Sequence, residues 1–238
     1  VYVSCAAVEY EAAWDEQNVI LASNKVEAWD VLQLSIKKVK EAIGDVGDVV
    51  FAFGNGSFRK SLYAGYKANR SGKRPPLCMS DVRQMVTQEY TTHTMPTLEG
   101  DDVLGILATD GDYEHPVIVS QDKDMLCVPA PLWRKDELIY VSEGDADYHW
   151  MKQTLTGDTS DGYPGCPGVG PVGAEKLLNQ FQSDKGGFET KAAWEAVVRT
   201  YEAKGLSFDD ALIQARLARI LRATDWDSGK QEVILWTP

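Results

Sequence analysis

The chain has 238 residues, with 24 Lys and Arg against 36 Asp and Glu, a net charge of −12 with histidine neutral. Hydrophobic residues make up 44% and charged residues 25%, a globular balance that excludes wholesale disorder and fibrous repeats, and no uncharged apolar run is long enough to span a bilayer. The length suits one large domain or one with a small appendage, and the acidic excess argues against a polyanionic partner unless the cations are clustered.

Taken in chain order, the opening is rich in Ala, Val, Leu and Glu. Val26, Trp29, Val31, Leu32, Leu34, Ile36, Val39 and Ile43 recur at helical spacing, which predicts two helices between Val1 and Ile43. After Gly44-Asp45-Val46-Gly47, the apolar run Val49–Phe53 predicts a fully buried, parallel strand closed by Gly54-Asn55-Gly56. Helical stretches follow at Leu77–Glu89 and Asp101–Ala108, then strands at Val117–Val119 and Leu138–Val141. Strands alternating with helices imply an α/β layer with a mostly parallel sheet, its site at the carboxyl ends of the strands. From Tyr148 the character turns helical, broken by Gly165-Cys166-Pro167-Gly168-Val169-Gly170-Pro171, so a domain boundary is expected near residue 155. Two helical windows, Lys191–Lys204 and Phe208–Arg222, and a β-like Glu232–Trp236 complete the chain.

Cys5, Cys78, Cys127 and Cys166 show no Cys-x-x-Cys spacing and do not pair with His93, His115 or His149, so no structural zinc is expected. No signal peptide is recognisable at the start, so a reducing cytoplasm with free thiols is the expected setting.

Three acidic clusters stand at element ends: Glu99-Gly100-Asp101-Asp102, Asp122-Lys123-Asp124, and Asp158-Thr159-Ser160-Asp161. Each alone is equally a helix cap or a turn. Jointly they bring seven carboxylates with few neighbouring cations, and crowded acids call for divalent ions. An all-oxygen ligand set suits two Mg²⁺ or Mn²⁺ ions, which can activate water and offset charge on both oxygens of an in-line phosphoryl displacement.

The complementary feature is Phe58–Pro76, FRKSLYAGYKANRSGKRPP, with Arg59, Lys60, Lys67, Arg70, Lys73 and Arg74 and no acid. It reads either as a solvated loop or, with Tyr63 and Tyr66 interleaved, as a surface that grips phosphates and stacks bases. The Gly168-Val169-Gly170 turn would offer bare backbone N–H groups to a phosphate.

The ordered motifs YKANR, LEGDDV, SQDKDM and GDTSDGYPGCPGVGPVGAEKLL resemble the 5′-to-3′ exonucleases of the flap endonuclease superfamily, closest to those of short-tailed phages, over nearly the whole chain. The resemblance implies a PIN-like core in residues 1–155 with a basic arch or gateway near 58–76. It also implies a helical DNA-binding region in 156–238 with a helix-three-turn-helix near 157–181. By position, Glu99, Asp101, Asp102 and Asp122 resemble a first metal site, and Asp124, Asp158 and Asp161 complete a second. Lys67 resembles the gateway lysine at the scissile phosphate, acting with Asp122 and Asp124 in catalysis. Arg59, Lys60, Tyr66, Lys67, Arg70, Gly168 and Gly170 are the implied DNA contacts, with Tyr66 stacking on a terminal base. K⁺ at the helix-three-turn-helix is a further implied cofactor.

The sequence departs from the family pattern in three places. Relatives open with an apolar strand ending in a ligand Asp, whereas this sequence starts at Val1, and a truncated record is the expected explanation. Asn55 stands where relatives carry Asp, as a degenerate ligand, and Val172 where many have Lys. The expected function is metal-dependent hydrolysis of DNA, and of RNA primers, near 5′ ends in phage replication or recombination, by a monomer in the host cytoplasm. The alternatives are a nuclease-dead, structure-selective DNA-binding protein with an incomplete metal site, and an acidic cation-binding phosphatase.

Overall fold

The computed structural model describes residues 1–238 apart from 15–17, 45–46, 71, 73 and 184–186. In chain order the elements run α1 (Tyr2–Ala7), β1 (Glu9–Ala13), β2 (Val19–Ser23), α2 (Lys25–Ile43), β3 (Val50–Phe53), α3 (Arg59–Leu62), α4 (Met79–Glu89), β4 (Thr91–Thr94) and α5 (Gly100–Leu107). There follow β5 (Ile118–Val119), β6 (Pro131–Arg134), β7 (Glu137–Tyr140), α6 (Glu143–Thr156), α7 (Pro171–Leu178), α8 (Thr190–Glu202), α9 (Phe208–Ala218), β8 (Trp226–Asp227) and β9 (Glu232–Val233). Short 3₁₀ turns lie at Ala68–Arg70, Lys123–Cys127, Asn179–Phe181 and Ala223–Asp225.

Two compact units emerge, one of residues 1–51 and 72–93 and one of residues 52–71 and 94–238. In the first, α1, α2 and α4 pack together around Cys5, Ala28, Leu32, Val82 and Val86. Helix α2 starts where the Asn24 side chain accepts hydrogen bonds from the Val26 and Glu27 N–H groups. The predicted first helix is shorter than expected, because β1 and β2 form an antiparallel hairpin pairing Glu9 with Ser23 and Ala13 with Val19. Glu and Ala residues that favour a helix locally are here drawn into cross-strand pairing.

The second unit is built on α6, which packs against α7, α8 and α9. Trp150 on α6 is 1% exposed, donates its indole N–H to the Ala215 carbonyl at 2.7 Å, and meets Trp236 edge-on at 4.7 Å. Helices α6 and α9 each open with a reciprocal Ser–Asp capping box, Ser142 with Asp145 and Ser207 with Asp210. The expected boundary near residue 155 falls within α6, inside this unit.

The α/β class holds, but the sheet is fragmentary. Of the described registers, β5–β6 is parallel, while β1–β2, β6–β7 and β8–β9 are antiparallel. Strand β6 was not predicted, since Pro131 and Arg134 obscure its pattern; it turns into β7 through Lys135 and Asp136, both at positive φ, as in a type I′ hairpin. The β3 run is half-buried rather than fully buried, pairing only with β4 among the described strands, and Val119 of β5 is 50% exposed. No helix among the described residues is long and apolar enough to cross a membrane.

Candidate active site

The acids all lie in the second unit. Helix α5 begins at Gly100, whose backbone lies so close to Gly54 that a Cβ on Gly54 would stand 3.1 Å from the Gly100 nitrogen. This close approach sets the exposed Asn55 beside the α5 entrance, where its N–H donates to the Leu98 carbonyl at 2.7 Å and its carbonyl accepts from Thr97 at 3.1 Å. Asp101 and Asp102 fall in the first turn, where the helix dipole favours negative charge.

The start of the basic segment docks onto the third acidic cluster. The Lys67 N–H donates to the Asp161 carbonyl at 2.6 Å, and the Asn69 amide donates to the carbonyls of Thr159 and Ser160. The Lys67 ammonium then reaches Glu99 at 2.6 Å and Asp161 at 3.5 Å, while Arg70 donates to Asp161 at 2.6 Å. The Tyr66 hydroxyl stands 2.8 Å from Glu99 Oε2 and 3.0 Å from Asp161 Oδ2.

A second group forms around Lys123. Asp122 caps the 3₁₀ turn by accepting from the Asp124 N–H at 2.9 Å, and the Lys123 ammonium lies 2.7 Å from Asp158 and 3.9 Å from Asp124. Asp158 also accepts from the Ser160 N–H and hydroxyl and the Asp161 N–H. The loop that carries it is pinned at its base by Gly157 and Gly165, both at φ +66, packed so tightly that a Cβ on either would fall within 2.5 Å of the other's segment.

The electrostatics divide these acids. Burial raises Asp101 to about 7, helped by repulsion from Asp122, Asp102 and Glu99 against the pull of Lys67. Burial and Asp122 likewise raise Asp124 to about 6. Burial also works to raise Asp158, but the bonds from Lys123 and Ser160 outweigh it and hold the carboxyl at about 2. Asp101 and Asp124 therefore carry charge that the protein leaves incompletely compensated.

The structure redraws three of the sequence expectations. Arg59 is 1% exposed, too deep to reach a phosphate; it forks onto Asp102 with two bonds of 2.7 Å and donates to the carbonyls of Leu217 and Arg219. Asp102, 0% exposed, has both oxygens taken by Arg59, with the Leu221 N–H adding to one, so it serves as the counter-ion of Arg59 rather than as an open ligand. Tyr66 is 3% exposed with its ring stacked at 6.3 Å on Tyr163, so no face is free for a base. Lys60, Gly168 and Gly170 are exposed, Gly168 with φ +77, and Gly170 caps α7 through backbone alone. Lys73 lies outside the described residues, and Arg74 forks onto Glu9 at 2.6 and 2.8 Å.

Lys123 and Ser160 went unrecognised as site residues in the sequence. The signal for Lys123 was its place between two acids, and for Ser160 the Asp-x-Ser spacing of a side-chain turn. The site carboxylates offer oxygen only, chemistry that fits hard divalent ions. Among the described residues no three of His, Cys, Asp or Glu close on a common point as placed; the Lys67 and Lys123 ammonium groups stand between the acids.

Comparison with known proteins bears on this arrangement. The exonuclease of Escherichia phage T7 is 28% identical across all of this chain and 90% of its own length, and the exodeoxyribonuclease of Enterobacteria phage T3 matches to the same extent. Among solved structures, the T5 D15 protein co-crystallised with metal ions superposes with a TM-score of 0.59 at 15% identity, over 82% of this chain and 81% of that one, which identifies the fold as PIN-like. The family model for the 5′-3′ exonuclease N-terminal resolvase-like domain matches residues 22–143, just over half of the sequence. The chain belongs to the 5′-3′ exonuclease family, whose members are phosphodiester hydrolases.

Proposed function

We propose that this chain is a divalent-metal-dependent nuclease that degrades DNA from 5′ ends and leaves 5′-phosphorylated products. The observation that carries the reading is that Lys67 and Arg70, on one docked segment, pair with Glu99 and Asp161, beside the under-compensated Asp101, whose charge Lys67 only partly offsets. Glu99, Asp101, Asp122, Asp124, Asp158 and Asp161 would hold two Mg²⁺ or Mn²⁺ ions, while Asp102 orients α5 through Arg59. When bound, such ions supply activation of water and charge neutralisation at the phosphate.

The chain's own residues do the rest. Lys67, on releasing Glu99, offers its ammonium to the scissile phosphate and offsets the charge that grows there. Arg70, half-exposed, contacts an adjacent phosphate. Lys60 and the Gly168 and Gly170 backbone lie exposed for the duplex, so the functional division we infer has residues 1–155 supplying most of the chemistry and 156–238 the helix-three-turn-helix grip, with K⁺ as its cofactor. A relative named exodeoxyribonuclease and a T5 flap endonuclease solved in a complex with DNA and metal ions favour DNA with 5′ ends or flaps as substrate, with RNA primers as a further substrate. We place the activity in the cytoplasm of a phage-infected host, carried by a monomer.

The test is a 5′-labelled duplex and a 5′-flap substrate incubated with Mg²⁺, Mn²⁺ or EDTA. Asp122→Asn and Asp161→Asn are expected to abolish cleavage and spare DNA binding, and Lys67→Ala to slow the single-turnover rate more than it weakens binding. Retained turnover in either acid variant refutes the reading. Binding without cleavage in the unaltered chain, rescued by Asn55→Asp, would mark an enzyme with an incomplete metal site, whereas no rescue would select the binding-only alternative.

A further inference from the structure

Tyr66, the residue expected to stack on DNA, sets its hydroxyl between two acids of the site. Tyr66 joins two acids that arrive from unrelated parts of the second unit, Glu99 at the α5 entrance and Asp161 in the loop after α6, through one oxygen at 2.8 and 3.0 Å. A phenol has a single proton, so it can donate to only one of them at a time. The other contact sets an oxygen lone pair against a carboxylate, and two carboxylates face each other across it. That conflict is eased by the Lys67 ammonium, 2.6 Å from Glu99 and 3.5 Å from Asp161 and lying over the Tyr66 ring at 5.0 Å.

The ring is fixed by further contacts. Arg59 lies 5.8 Å from the Tyr66 centroid and reaches Glu99 Oε2, the same oxygen that Tyr66 contacts, at 3.3 Å. Tyr163 stacks on the ring at 6.3 Å, and the Tyr66 N–H donates to the Tyr63 carbonyl at 3.0 Å. The ring, the backbone N–H and the hydroxyl of Tyr66 thus hold its phenol oxygen between the two acids.

Building on the metal-dependent reading above, we propose that Tyr66 is a positioning residue whose buried hydroxyl sets the spacing of Glu99 and Asp161, one acid from each of the two ion sites, so that both sites are ready to take up divalent ions, and that it is not a base-stacking platform. Groups that orient metal ligands through hydrogen bonds commonly contribute about 10-fold or more to metal affinity. The phenol also stays neutral, since burial and the facing acids push its ionisation well above the ordinary range against the pull of Arg59.

The test compares Tyr66→Phe and Tyr66→Ala with the unaltered chain. Mn²⁺ uptake is followed by electron paramagnetic resonance without DNA, and duplex affinity by anisotropy in EDTA. Tyr66→Phe keeps the ring contacts, and its melting curve in EDTA checks that the fold is retained. The expected result is Mn²⁺ affinity lowered about 10-fold in Tyr66→Phe with duplex affinity within about twofold. The same variant should need about tenfold more Mn²⁺ for half-maximal cleavage, its rate approaching that of the unaltered chain at saturation. A stacking platform predicts the opposite: Mn²⁺ uptake unchanged in Tyr66→Phe and duplex binding weakened in Tyr66→Ala. Equal Mn²⁺ affinity in Tyr66→Phe and the unaltered chain overturns this role alone, whereas an unaltered chain that takes up no Mn²⁺ overturns the functional reading and this role with it.

Discussion

Replacing Arg59 by Met strips Asp102 of its counter-charge. The pair is as buried as any among the described residues, with side chains 1% and 0% exposed and two parallel bonds of 2.7 Å. In the variant Asp102 keeps only the Leu221 N–H at 3.2 Å and the Glu99 N–H at 3.4 Å. Removing one member of a buried ion pair costs about 3–5 kcal/mol, because the remaining charge loses its partner without regaining water. At roughly 2–4 °C per kcal/mol for a chain of this length, the melting temperature should fall by ~6–20 °C. Asp102→Leu should cost a similar amount from the other side. The double variant, which leaves neither charge, should recover much of the loss. Thermal melts and urea titrations of the three variants provide the cycle. Single-variant losses below about 1 kcal/mol, or a double variant whose loss is the plain sum of the two, would refute the account of Arg59 as a structural counter-ion.

Two further outcomes follow from the same geometry. In EDTA, Asp101 at about 7 and Asp124 at about 6 bind protons more tightly folded than unfolded, so their contribution to stability falls as pH rises from about 4 to about 7. Asp158, at about 2, contributes stability that is present above about 4 and lost as pH falls toward 2. Denaturation midpoints measured in pH steps should show both limbs, and Mg²⁺ should flatten the upper one; stability rising between pH 4 and 7 in EDTA contradicts the assignment. Gly105→Ala would put a Cβ 2.3 Å from the Leu221 carbonyl oxygen and 3.2 Å from Ile220 and Val128. Helix α5 must then shift, at a cost of about 1–3 kcal/mol. Since α5 carries Glu99 and Asp101, Mn²⁺ affinity read by calorimetry should fall with stability; a stable variant of unchanged affinity would show the contact to be yielding.

The long apolar periods, the Gly and Pro punctuation and the four ordered motifs made much of this protein legible from residues alone. Helices α2, α4, α5, α8 and α9 stand close to their expected places, because buried faces repeat at helical spacing whatever lies opposite them. The three acidic clusters could be picked out because carboxylates without neighbouring cations are conspicuous in a chain. The β1–β2 hairpin and β6 were not legible, since cross-strand partners decide a strand and the local composition there favoured other conformations.

What tertiary structure alone decided is which charges face water and which face each other. In the sequence Arg59, Tyr66, Lys67 and Arg70 are four members of one basic, aromatic segment. In the fold Arg59 is buried against Asp102 from 43 residues downstream, and Tyr66 and Lys67 are folded onto Glu99 and Asp161, leaving Arg70 half in solvent. Residue type and spacing fix the helical faces and the stock of charge. Whether a cation meets a ligand or a buried carboxylate depends on chain segments dozens of residues apart, and on the cost of leaving either charge unpaired away from water.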